Sequence, residues 1–160
     1  MKTARPLYRL LILAAGLIPF WPAQADTPLE YAVKAAYLTK FAPFIEWPES
    51  VFASAAAPVN ICILGADPFG ATIDKAASGA GGRPLAIRRI SAATAADGCQ
   101  IVYTNDPQAG SLDALQSKPV VTVTDSGLPQ VGVISFVMLD NHVRFDIDDA
   151  AAARDGIRIS

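Results

Sequence analysis

Few side chains in this 160-residue chain could do covalent or acid–base chemistry. There is one histidine, His142, which stands in a hairpin just after Asp140-Asn141. A lone imidazole with no Ser, Cys or metal motif around it reads as a surface residue, not a general base. No Gly-x-Ser-x-Gly elbow is present. Asp146, Asp148 and Asp149 are close enough to suggest calcium, but they lack the spacing, Gly and distal Glu of an EF-hand loop. They read more simply as an edge-strand acid followed by a helix cap. Two cysteines with one histidine are too few for a four-ligand zinc site.

Three further groups remain as candidates. Gly65-Ala66-Asp67-Pro68-Phe69-Gly70 joins a strand to a helix, the place where a doubly wound fold binds ligands. It lacks the G-x-G-x-x-G order, and Asp67 would repel a phosphate there, so Asp67 is read as a helix cap. A small-molecule crevice at the strand ends would use Gly65, Asp67 and Gly132. Phe41, Phe44 and Trp47, with Lys40 and Glu46, place aromatics beside charges and helix-ending prolines. Such a cluster suits a protein contact surface, and it also suits the lid of the core. Cys62 and Cys99 form an isolated pair, which in an oxidising compartment reads as a disulfide stabilising by roughly 4 kcal/mol. Two buried free thiols are the alternative.

The elements that would carry these residues alternate. Apolar positions at Leu29, Val33, Ala36, Tyr37 and Phe41 predict a helix over 29–42, with Asp26 or Thr27 as cap and Pro28 in its first turn. Glu30 lies four residues before Lys34 and supports it. Strands are predicted at 59–65, 85–90, 100–104 and 120–124, with helices at 68–77 and around Leu112–Leu115. Residues 133–139 and 142–147 form a hairpin about Asp140-Asn141, and Asp148–Arg154 starts a helix stopped by Gly156. The expected fold is α/β, a single three-layer domain with a largely parallel sheet flanked by helices and an antiparallel C-terminal hairpin.

Where the domain works is set by the first 25 residues. Lys2, Arg5 and Arg9 precede an apolar run from Leu10 to Trp21, and Ala23-Gln24-Ala25 follows with small residues at the cleavage positions. This is a secretory signal peptide. The run is well short of the roughly 20 residues that span a bilayer, and Pro19 interrupts it. We therefore expect residues 1–25 to be removed and 26–160 to form the domain. Three of the 13 basic residues and none of the 15 acids leave with the signal. The mature chain is acidic, which excludes nucleic acid as a partner.

Residues 29–48, LEYAVKAAYLTKFAPFIEWP, closely resemble the opening of the YfiR family, whose members read VKAAYLxxFxxFxxWP. ICILGADPFG, GCQIVY, PVVTVTD, VGVISFVMLDNHVRFDID and AAARDGIRIS follow in the family's order. The resemblance implies a periplasmic regulator and not an enzyme, with no cofactor. Family members bind the periplasmic part of an inner-membrane diguanylate cyclase and repress it, until an outer-membrane lipoprotein sequesters them. Cyclic di-GMP and biofilm formation lie downstream. The resemblance also supports Cys62–Cys99 pairing, while the aromatic and charged cluster of Lys40, Phe41, Phe44, Glu46 and Trp47 supplies the candidate partner contacts, with a homodimer left open. The rival function is a periplasmic small-molecule sensor. The chain departs from the family in lacking a second cysteine pair, in having Asp148 where Asn is commoner, and in stopping at Ser160. Relatives continue there into a last apolar helix, so either the sequence is cut short or that helix is absent, and its absence would leave one sheet face open.

Overall fold

A computed structural model describes residues 28–107, 112–129 and 131–160. Helix α1 (Pro28–Phe41) leads through a 3₁₀ turn (Ala42–Phe44) into the short strand β1 (Ile45–Glu46). Then come β2 (Val59–Leu64), α2 (Ala71–Ser78), β3 (Leu85–Ile90), β4 (Ile101–Thr104) and β5 (Val121–Asp125). The chain closes with β6 (Ile134–Leu139), β7 (His142–Ile147), α3 (Asp149–Arg154) and β8 (Arg158–Ile159). The main sheet has six strands in the order β3-β2-β4-β5-β6-β7. Neighbours from β3 to β6 are parallel, and only β7 is antiparallel, to β6. The expected α/β architecture with an antiparallel final hairpin is what the chain adopts.

Strand alternation divides the core in two. Ile61, Ile63, Ile101, Tyr103, Val121, Val123, Ile134 and Phe136 face α1 and α2, where Tyr31, Ala35, Leu38, Phe41 and Ile73 complete the larger cluster. Cys62, Leu64 and Val102 point the other way, into a smaller cluster closed by the 3₁₀ turns that carry Ala93, Leu112 and Leu115. The third layer is therefore thin, built of turns instead of long helices. Towards β6 and β7 this second face is open: Leu139, His142, Arg144 and Asp146 are exposed on it.

Local chemistry explains where the elements begin and end. Asp140 and Asn141 both have positive φ, 49° and 60°, as the two-residue hairpin turn requires. Asp148 caps α3, its carboxylate accepting from the Ala151 amide at 2.8 Å. The predicted helix at 68–77 begins only at Ala71. Asp67 does not cap it; its carboxylate accepts from the amides of Phe69 and Gly70 and holds a tight turn ahead of the helix. Gly70, at φ 52°, then breaks the helical path and serves as N-cap without a side-chain bond. The segment around Leu112 is 3₁₀, not α. A second sheet was not anticipated: β1 pairs antiparallel with β8, Ile45 opposite Ile159 and Glu46 opposite Arg158. The expected signal segment, its cleavage point and the Asp26 or Thr27 cap lie outside the described residues.

Candidate partner-binding surface

The residues singled out for chemistry are scattered. His142 is exposed at the hairpin, its Nδ1 2.7 Å from the Asp140 carbonyl. The three acids are divided between the edge strand and the cap of α3, and no metal-binding cluster exists among the described residues. Gly65 and Gly132 do not share a crevice. Gly65 follows the C-terminal end of β2, whereas Gly132 lies before β6 and four strand positions lower in the register. Each glycine is required by close packing. A Cβ on Gly65 would stand 2.6 Å from Asp106 Oδ2, and one on Gly132 would stand 2.5 Å from the Thr122 carbonyl oxygen. Asp67 is occupied by Arg89, whose Nε donates to it at 2.8 Å. The same guanidinium reaches Asp74 at 2.7 Å and holds that carboxyl below its usual range. Cys62 in β2 is joined to Cys99 in the segment just before β4, with Cα atoms 6.0 Å apart.

Sequence reasoning missed a buried polar cluster at the C-terminal ends of β4 and β5. Lys34, with only 4% of its side chain exposed, donates to Asp125 at 2.9 Å and to Glu30. Tyr103 also donates to Asp125, at 3.0 Å, while Asn105 donates to the Tyr31 hydroxyl at 2.9 Å. The ammonium lies 4.9 Å from the Tyr31 ring centre. Burial pulls the Lys34 pKa down, but its hydrogen bonds and charge interactions with Asp125 and Glu30 outweigh this and leave it raised. Burial pushes the Asp125 carboxyl up, and the bonds from Lys34 and Tyr103 offset that only in part. The i, i+4 spacing of Glu30 and Lys34 was the available signal. Nothing in the sequence announces Asp125, 91 residues further on.

Geometry also divides the aromatic cluster. Phe41 is core, packed on Phe136 and Phe145 with ring centres 6.0 and 5.1 Å away. Phe44, by contrast, is 55% exposed. It stands at the mouth of an apolar groove of ≈ 310 Å³ where α1, the following 3₁₀ turn, β7 and β8 meet. Tyr37, Phe145, Ile147 and Ile159 line the walls and Lys40 supplies a cation at the rim. Ser160 tightens this corner, since its amide donates to the Phe44 carbonyl at 2.9 Å. The next residues face elsewhere. Glu46 points to solvent and pairs with Arg158 at 3.1 Å. Trp47 turns to a second hollow, of ≈ 340 Å³, stacked edge-on against Phe52 and shared with Arg83. Of the five predicted contacts, Lys40 and Phe44 therefore share one exposed groove, Phe41 forms its floor, and Glu46 and Trp47 belong to adjoining surface. A groove with apolar walls, one projecting aromatic and a charged rim is suited to gripping a side chain of another protein.

A family model described as YfiR/HmsC-like matches residues 31–160, and no curated protein matches the chain.

Proposed function

Because the chain belongs to the YfiR/HmsC-like family, we propose that it is a periplasmic regulator of cyclic di-GMP signalling that acts by binding, not by catalysis. In this reading residues 1–25 direct export and are removed, and residues 26–160 work as the regulatory domain. The domain holds the periplasmic part of an inner-membrane signalling protein inactive. That partner is a diguanylate cyclase, and an outer-membrane lipoprotein relieves the repression by capturing the regulator. The single observation that carries the binding site is the apolar groove at Phe44, which leaves a large aromatic in water beside Lys40 and Ile147. Exposure of that kind costs free energy unless a partner covers it.

The test compares two phenylalanines one helical turn apart. Phe44→Ala should leave abundance and melting temperature near wild type while raising cyclic di-GMP, because truncating an interface anchor costs roughly 2 kcal/mol or more of binding. Phe41→Ala should instead lower stability by about 3–5 kcal/mol and deplete the protein. A stable Phe44→Ala protein with full repression would remove the groove from the interface. A gene deletion that leaves cyclic di-GMP unchanged would remove the regulatory reading.

A further inference from the structure

The hollow beside Trp47 lies at the N-terminal ends of β2 and β3, where Val59 and Leu85 open the two strands. This is the other end of the parallel sheet from the buried Lys34 cluster. Trp47 and Phe52 stand with ring planes at 90° and centres 6.0 Å apart. The 3₁₀ turn Glu49–Val51 that delivers Phe52 is tied down, since Gln100 Nε2 donates to the Val51 carbonyl at 3.2 Å. Ile45 adds a further apolar wall. At Gly81 and Gly82 no side chain closes the mouth, and a Cβ on either would meet nothing within 4 Å. At ≈ 340 Å³ the hollow has the volume of a small-molecule site.

Two donors at this hollow lack the acceptor their chemistry calls for. Trp47 Nε1 is buried and, among the described residues, has no hydrogen-bond partner. Buried donors are nearly always satisfied, so an orphan on a residue of a cavity wall marks a place for an acceptor from outside. The indole N–H has no bond to break in turning towards one. Arg83 lies 4.1 Å over the Phe52 ring and donates to the Ala57 carbonyl at 2.7 Å. Its planar fork has donors to spare, and among the described residues no carboxylate pairs with it. Glu46, the acid among the lining residues, is turned to solvent by Arg158. These features select the ligand. A cation would meet a guanidinium already seated on the Phe52 face. An uncharged apolar molecule leaves both donors unmatched, and inorganic phosphate leaves the aromatic walls unused. An apolar body with one carboxylate answers all of them, because a carboxylate accepts from a guanidinium and an indole N–H together.

We propose that this hollow binds a small monocarboxylic acid, its carboxylate bridging the Arg83 guanidinium and the Trp47 indole N–H and its apolar part lying against Phe52, Ile45 and Leu85. The apolar walls supply affinity through burial, and the two donors fix which end of the ligand enters. The site is separate from the groove at Phe44. Ile45 is the one residue that lines both, so β1 stands between them. Binding here can therefore be tested without reference to the membrane partner.

The experiment follows Trp47 fluorescence in protein purified from the periplasm, since Trp21 lies in the leader and Trp47 is the only tryptophan of residues 26–160. Octanoate and benzoate are the probes, with 1-octanol and benzyl alcohol as their uncharged counterparts. Each acid should give a saturable change in emission and raise the melting temperature, while its alcohol binds at least about tenfold more weakly. Arg83→Met keeps an apolar stem on Phe52 and should weaken the acids about tenfold or more without changing the alcohols. Arg83→Lys, which restores the charge without the fork, should recover part of that loss. Trp47→Phe, read by calorimetry, should weaken the acids about fivefold. Arg83 is exposed, so its variants should melt near wild type without ligand. Phe44→Ala should bind the acids as wild type does. No saturation by either acid below about 10 mM overturns the proposal. So does equal binding of acid and alcohol, or an Arg83→Met protein that binds as wild type. Loss of acid binding in Phe44→Ala overturns it by moving the site to the other groove. Binding of a peptide with a free C-terminal leucine, when neither small acid binds, overturns it by making the occupant a chain end.

Discussion

Replacing Lys34 with methionine removes one charge from a buried group of three and leaves the rest of the packing in place. The side chains of Lys34, Glu30 and Asp125 are 4%, 12% and 13% exposed, so water can replace little of what the ammonium supplies. Methionine fills nearly the same volume along the lysine stem, so the loss should be electrostatic and not a cavity effect. Two carboxylates would then share a buried site without a cation, and breaking a buried pair in this way costs about 3–5 kcal/mol. The sign of the pH dependence separates this cause from a packing defect. Without Lys34, burial and the Glu30 charge both raise the folded pKa of Asp125 above its ordinary value of about 3.9. A carboxyl raised in the folded state loses its penalty as pH falls from the raised value towards the ordinary one. The variant should therefore recover much of the deficit on acidification, relative to wild type at the same pH. In the wild-type protein the raised Lys34 pKa works the opposite way: its contribution is full below about 10.4 and is lost as pH rises through the folded value. Urea denaturation of both proteins across a pH series measures both limbs. A loss below about 1 kcal/mol at neutral pH would refute the reasoning, and so would a larger loss that stays constant as pH falls.

Protein recovered from the periplasm should begin at Asp26 by intact mass and show no titratable thiol when denatured without reductant. A retained leader or two free thiols would contradict the export and pairing assignments respectively. Cys62→Ala with Cys99→Ala should lower stability by roughly 4 kcal/mol, the chain-entropy value for a loop of this length, read by chemical denaturation. Gly132→Ala should destabilise by at least about 1–3 kcal/mol, because the added Cβ meets the backbone oxygens of Thr122 and Ile134, which cannot swing aside. A melting temperature unchanged by that substitution would show that the β5–β6 junction yields.

The parts of the fold that were legible share one cause: each is written in a local pattern. Val59–Leu64 is a largely apolar run and Val121–Asp125 opens on four β-branched residues, as suits strands buried on both faces. Asp140-Asn141 accepts the positive φ of a tight hairpin, and Asp148 stands where α3 needs a cap. The features that were missed depend on contacts distant in sequence. β1 and β8 are two residues each and exist only because Ile45 meets Ile159 across the domain. The start of α2 was displaced because the Asp67 carboxylate folds back on the turn instead of capping the helix. The aromatic cluster was visible as composition, but its division into Phe41 inside, Phe44 outside and Trp47 on another side follows from the helix ending at Phe41.

These placements bear on where a partner can bind. In a largely parallel sheet the C-terminal strand ends are the usual crevice for a ligand. Here the first half of α1 lies across them. Tyr31 and Lys34 reach down to Asn105, Tyr103 and Asp125, which stand at the ends of β4 and β5. Beside them Asp106 packs against Gly65, accepting from Ala66 N–H at 3.3 Å. Opening this end to admit a ligand would separate buried opposite charges, at a cost of several kcal/mol that a small molecule would have to repay. Among the described residues the opposite end of α1 carries no such lock. There the helix passes into a 3₁₀ turn held by the two-residue β1–β8 ladder and a few terminal hydrogen bonds, with Phe44 in water. Short ladders and exposed backbone bonds mark the part of a fold that yields first. The helix is thus anchored at one end by ion pairs and adaptable at the other, and a protein partner that reshapes the Phe44 groove need not disturb the buried Lys34 cluster.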